Sequence, residues 1–312
     1  MAYPLVESPP QLRRTRNGLR RRTTRSRTTH PLAFLLPAFI ILGVFFFLPT
    51  VFNFIYAFTN WSSFKDDIQF VGAKNFVSLL SDGSLVAAIR TTLIYAALVG
   101  IMQNLFGLGL ATLLEADTRV NRFARVIFFI PVLMSALAVG YIFQALLKPT
   151  GAVNQILGLF AGHAVTIPWL GSTTWTLVVV AFVNSWKWAG LAMIIYLAGL
   201  KTIPEDVLEA ARMDGAGPWK TFFRVKFPLL APAVTFNFAT ALLGSLNGFD
   251  TVQATTAGGP AQTTEVLNIY IFQIFGYGLY AQATTMSLVL FLMVLILAFP
   301  IVGYLRKREH VL

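Results

Sequence analysis

Six long apolar stretches dominate this chain, each able to cross roughly 30 Å of hydrocarbon as a helix. They run over about 33–58, 91–114, 126–147, 175–200, 229–246 and 286–305. Because lipid offers no partner to a bare peptide group, spanning segments must be helices or a closed barrel. The period-two alternation of barrel strands is absent, which predicts an all-α membrane protein with six transmembrane helices. Composition agrees, since 56% hydrophobic residues, 12% charged residues and 28 phenylalanines are too apolar for a water-soluble chain of 312 residues. The fifth stretch is the least clean, because Asn237, Thr240 and Ser245 interrupt it.

Loop charges orient these spans. Eight arginines lie between Arg13 and Arg27, against the single acid Glu7, and Arg119, Arg122 and Arg125 follow the second span. Arg306, Lys307 and Arg308 follow the last. The intervening loops are poor in bases, so both termini of this multi-pass chain are expected in the cytoplasm. The net charge of +11 sits mostly in the arginine tail. Anionic headgroups attract such a segment by about 1 kcal/mol per residue. Thr and Ser alone separate Arg25 and Arg27 from their neighbours, so no aromatic or base-reading element supports nucleic-acid binding. Residues 1–30 therefore read as a disordered basic tail and 31–312 as one membrane domain. A secretory signal is excluded by five further spans after the first.

The chemistry of soluble enzymes is missing. The chain has no cysteine, and His30, His163 and His310 lack ligand spacing, so no metal, no cofactor and no catalytic residue is expected. No phosphate-binding G-x-x-x-x-G-K-[ST] loop occurs. If ATP drives this protein, another chain must bind it.

Between the fourth and fifth spans, residues 201–226 carry four acids and five bases and cannot lie in lipid. Thr202-Ile203-Pro204-Glu205 reads as a capping box opening a helix from about Ile203 to Asp214. Gly215 then supplies a left-handed residue to end it. Glu209, Ala210, Ala211, Asp214 and Gly215, with Phe227-Pro228 beyond, resemble the EAA loop of the membrane subunits of binding-protein-dependent ABC importers. The resemblance implies that this loop docks on a cytoplasmic ATP-binding subunit dimer.

In the fourth span, Asn184-Ser185-Trp186-Lys187-Trp188 places a charge about 18 Å from Trp175 at 1.5 Å per residue. A lysine at that depth calls for a cavity or a partner, the alternative being a side chain that snorkels to the interface. Residues 183–217 also resemble maltose-type sugar permeases of the same importers. That likeness implies sugar contacts at Asn184, Lys187, Trp188 and Leu191, although the last three depart from the family residues. Asn184, Lys187 and Leu191 share one helical face. In the fifth span Ser245 and Asn247 are candidates for the same pathway, with packing between helices as the alternative.

The loop over 247–284 contains Phe249-Asp250, Thr256-Ala257-Gly258-Gly259-Pro260 and Thr264-Glu265, which look like the outer loop of these sugar permeases. There Gly258, Gly259 and Pro260 are expected to meet an extracytoplasmic solute-binding protein. The resemblance therefore implies a type I ABC importer permease paired as a heterodimer with a second permease subunit around a carbohydrate pathway. An ion-coupled secondary transporter, a docking scaffold without transport, and an ABC permease for another solute remain as alternatives. The absence of Asp and Glu from the spans weighs against proton coupling.

Overall fold

The computed structural model describes residues 35–309. The basic tail over 1–30, which carries the strongest topological signal, lies outside them. Among the described residues the chain is helical, with one isolated bridge between Thr59 and Phe70. Four helices are long and apolar enough to cross a membrane singly: α1 (Leu36–Tyr56), α3 (Ser84–Leu113), α7 (Thr176–Lys201) and α13 (Tyr280–Glu309), the last over Tyr280–Leu297. Two further spans are bent pairs, α4 (Arg119–Leu133) with α5 (Ala136–Leu146) at 100°, and α9 (Pro218–Leu229) with α10 (Ala231–Leu246) at 69°. Counting each pair once gives six.

The third expected span is therefore not the straight helix its hydropathy suggests. Pro131 removes a backbone donor within α4, and Met134 and Ser135 take extended backbone angles before α5 begins. In the fifth span Pro228 and Pro232 flank the break at Leu230. Shorter helices complete the chain: α2 (Lys74–Ser81), α6 (Ala152–Ala161), α8 (Glu205–Met213), α11 (Asp250–Thr255) and α12 (Leu267–Gly276).

The chain divides into two compact units at Leu48–Pro49. Up to Leu48, α1 presents apolar side chains such as Phe45 and Phe46 outward, as a lipid-facing helix does. From Pro49 onward the bundle is built around α3 and α7. Their close approach rests on small residues, since a Cβ on Gly107 would lie 2.5 Å from that of Ala192. Tyr196 of α7 donates its hydroxyl to Asn104 Oδ1 of α3 at 2.6 Å, and Asn237 of α10 donates to the Ala192 carbonyl at 3.3 Å. These bonds satisfy polar groups that lipid would leave bare.

Loops gather at two ends. At one, the Arg125 guanidinium donates to the carbonyls of Leu114, Glu115 and Ala116 at 2.6 to 3.2 Å, closing the C-terminal end of α3 with positive charge. The α8 region joins this end through Lys226, whose ammonium lies 2.7 Å from Glu115. At the other, Thr92 accepts from the Leu267 N–H at 2.8 Å and Thr285 donates to the Ala57 carbonyl at 2.9 Å.

Candidate functional site

Helix α8 is short, exposed and closed by its own chemistry. It starts at Glu205, so the expected capping box does not form. Thr202 instead ends α7, donating its hydroxyl to the Gly199 carbonyl at 2.8 Å, because α7 continues through Lys201 and brings that carbonyl within reach. Pro204 takes the N-cap position in extended conformation. Glu205 and Asp206 lie at the positive end of the helix dipole and Arg212 at the negative end. Gly215 has φ +72°, as expected, and the Ala216 N–H reaches the Ala211 carbonyl at 3.0 Å while the Gly215 N–H reaches Arg212 at 3.0 Å. That pair of bonds is a Schellman motif. Glu209, Ala210, Asp214 and Gly215 are exposed and Ala211 is half-buried. Met213 and Trp219 nearby present 88% and 77% of their surfaces.

Behind this helix lies a cleft of about 540 Å³ bounded by Leu208, Arg212, Trp219, Phe222, Glu115 and Lys226. The ion pair between Glu115 and Lys226 in its lining ties α9 to the end of α3.

Within the bundle, α7 and α10 converge on a smaller cavity of about 170 Å³. Asn184, Trp188, Leu191 and Ser245 line it together, so four of the six expected pathway residues meet in one place. Thr240, Ala241 and Gly244 complete the α10 wall, and Gln103 of α3 supplies a wall that sequence reasoning missed. Asn184 Oδ1 accepts the Thr251 hydroxyl at 3.2 Å, and among the described residues its Nδ2 donates to nothing. Thr240 and Gly244 are exposed, so the cavity opens along α10.

The other two expected pathway residues lie elsewhere. Lys187 is buried, but its ammonium turns away to the Val132 carbonyl at 3.4 Å and sits 3.8 Å from the centre of the Trp188 ring. The 100° bend after Val132 frees carbonyls that a continuous helix would bond, and the lysine meets one of them. Asn247 is exposed and donates to the Leu243 carbonyl at 3.0 Å, closing α10 rather than lining the cavity.

The expected binding-protein contacts Gly258, Gly259 and Pro260 lie in the loop between α11 and α12. Gly258 is buried, with φ +94°, and a Cβ there would lie 3.2 Å from Ile269 and 3.3 Å from Gln273. It packs the loop against α12. Gly259 and Pro260 are half-buried, and Ala257, Ala261 and Gln262 form the exposed crest. Thr264 braces the loop, its hydroxyl 2.7 Å from both the Gly259 carbonyl and Thr256 Oγ1. Burial raises the Glu265 carboxyl above its ordinary range.

Residues 103–308 match the family described as binding-protein-dependent transport system inner membrane component. The chain belongs to this family. It is thus a multi-pass inner-membrane permease component rather than an enzyme. The multiple sugar-binding transport system permease protein MsmF of Streptococcus mutans is 32% identical, over 88% of this chain and 95% of that protein. The sn-glycerol-3-phosphate transport system permease protein UgpA of Salmonella typhi is 30% identical, over 85% and 90%. A solved bacterial alginate ABC transporter, in complex with an alginate pentasaccharide-bound periplasmic protein, has a chain that superposes with a TM-score of 0.73. That match is 23% identical and covers 88% of this chain and 91% of the other, which shows that the two share a fold.

Proposed function

We propose that this permease component is the membrane subunit of an ATP-driven carbohydrate importer and forms half of its solute pathway. The observation that carries the reading is α8: a helix with no buried residue, closed by a Schellman motif and leading into α9, whose Lys226 pairs with Glu115 at the end of α3. Such an element is stable in itself and rigid in its attachment, as a lever for a second protein must be. Glu209 and the exposed Met213 then contact a cytoplasmic ATPase dimer. The loop charges support placing α8 and both termini on that side.

Closure of the ATPase dimer would draw α8 with it. The Lys226 to Glu115 link carries the displacement to α3, which contributes Gln103 to the inner cavity. The cavity would then alternate between the two faces of the membrane. Amides at Gln103 and Asn184 and the hydroxyl of Ser245 suit sugar hydroxyls, and the Trp188 ring suits the apolar face of a pyranose. The sugar-transport names of relatives, MsmF among them, support a carbohydrate cargo.

At about 170 Å³, and open along Thr240 and Gly244, the cavity is smaller than the roughly 300–1,000 Å³ of a complete ligand site. A second permease subunit supplies the remaining wall, in a heterodimer. Ala257, Ala261, Gln262 and the edge formed by Gly259 and Pro260 are the surface offered to the solute-binding protein. The family match sets aside the ion-coupled carrier.

Purification of the tagged chain from detergent-solubilised native membranes tests the assignment. An ATPase and a second permease are expected with it, with ATP hydrolysis in the eluate. A lone chain without hydrolysis would overturn the assignment.

A further inference from the structure

Gln103 of α3 is buried, and among the described residues its side chain has no hydrogen-bond partner. It is 6% exposed and lines the inner cavity opposite Asn184 and Ser245. Neither of its amide atoms is sealed in protein, because the buried atoms left unpaired are Tyr95 Oη and Asn237 Oδ1. Both ends of the amide therefore remain available to an occupant. An amide held in a membrane bundle without a partner is costly, and an occupant that pairs with it recovers that cost. The adjacent Asn104 shows the contrast: it donates to the Gly100 carbonyl and accepts from Tyr196, which fixes it as a packing group.

The charge of the cavity is the second observation. Gln103, Asn184, Trp188, Leu191, Thr240 and Ser245 include no ionisable side chain. Lys187 lies one residue from Trp188 on the same helix, yet its ammonium is engaged by the Val132 carbonyl and the Trp188 ring. A carboxylate or phosphate placed here would lose its water and find no cation on this side of the pathway. Hydroxyl groups would meet donors and acceptors in the numbers an amide supplies.

We propose that Gln103 is a specificity-determining residue of this pathway, and that its half of the site selects an uncharged, hydroxyl-rich sugar over an anionic one. The inference rests on the carbohydrate-importer reading and deepens it. It separates this chain from the substrates named for two of its relatives, glycerol 3-phosphate and the acidic polysaccharide alginate.

The test uses cells with the complete importer, compared with cells lacking this chain. The probes are labelled maltose, lactose, sucrose and cellobiose, set against glucose 6-phosphate, glycerol 3-phosphate and a glucuronate-containing disaccharide. Uptake dependent on this chain is expected for at least one neutral sugar and for none of the anions. Gln103→Ala should then raise the half-saturating sugar concentration about 10-fold, the worth of a lost hydrogen bond, at an unchanged maximal rate and unchanged amount of protein in the membrane. Gln103→Asn, which keeps the amide on a shorter stem, should recover part of the loss and guards against a mere folding defect. An anion carried as well as the neutral sugars overturns the selectivity. Unchanged half-saturation in Gln103→Ala with normal assembly overturns the role of Gln103. If no probe of either kind depends on this chain, the carbohydrate reading itself fails and the inference falls with it.

Discussion

Lys226 of α9 reaches across to Glu115 at the end of α3, its ammonium 2.7 Å from both carboxylate oxygens. The two residues are 111 positions apart and both side chains are mostly withdrawn from solvent. A bidentate, partly shielded pair of this kind fixes an angle between elements more than it adds stability. Neutralising either residue is expected to lower transport several-fold while costing only about 1 kcal/mol of stability. The exchanged pair, Glu115→Lys with Lys226→Glu, should recover most of the loss. A double-mutant cycle on uptake measures the coupling, and equal, additive losses would show that the pair does not act as a unit.

Gly215 makes the lever end where it does. A Cβ added there meets nothing within 4 Å, so any substitution acts through the backbone alone. With φ at +72°, Gly215→Ala should cost about 1–2 kcal/mol in the cap and loosen the joint between α8 and α9. Gly215→Asn should cost less, because asparagine tolerates the left-handed region. Limited proteolysis near Trp219 reads the loosening, with Ala cut faster than Asn.

Lys187 is expected to be dispensable for choosing the sugar. Lys187→Met keeps the bulk of the stem and removes the charge from the Val132 carbonyl. The set of sugars carried should stay the same, with maximal uptake changed no more than about 3-fold through the α4 to α5 bend. Admission of a new anionic or neutral sugar by this variant would place the lysine in the pathway.

Glu265 predicts a pH effect of definite sign. Burial raises its carboxyl, so the folded chain holds the proton more tightly than the unfolded chain. That contribution is fully present below the ordinary carboxylate range and is lost as pH rises through the raised value. Glu265→Gln should therefore be more stable than the parent at neutral pH and indistinguishable from it in acid. Thermal aggregation in detergent from pH 4 to 8 measures the difference, and an advantage that grows towards acid would contradict the assignment.

Much of this architecture is legible in the sequence because lipid imposes one simple demand on the backbone. The apolar runs locate α1, α3, α7 and α13 to within a few residues, although α3 begins at Ser84 and α13 at Tyr280, both well before the apolar run. Gly215 ends α8 as its conformational freedom suggests. The 100° bend at Met134 and Ser135 escaped because hydropathy continues across it, and only Pro131 marks it. The sequence also cannot show that Ile269 and Gln273 pack against Gly258. Gln103 escaped for the opposite reason. It is a lone amide beside Asn104 in an apolar helix, and only its lack of a partner in the folded bundle separates the two.

Glu209 is exposed on α8, so its replacement should leave the bundle intact. Glu209→Ala is expected to reduce uptake at least 10-fold with the protein still inserted and still paired with its second permease. Retained ATP hydrolysis that no longer rises with sugar and binding protein would mark uncoupling, whereas normal uptake would remove Glu209 from the contact.

The most direct test of the whole account is ATP-dependent uptake of labelled neutral sugar into proteoliposomes holding the purified assembly and its solute-binding protein. Accumulation that needs ATP and the binding protein, persists with a proton ionophore, and disappears when this chain is omitted is the predicted result. Uptake that proceeds without ATP and collapses with the ionophore would contradict it.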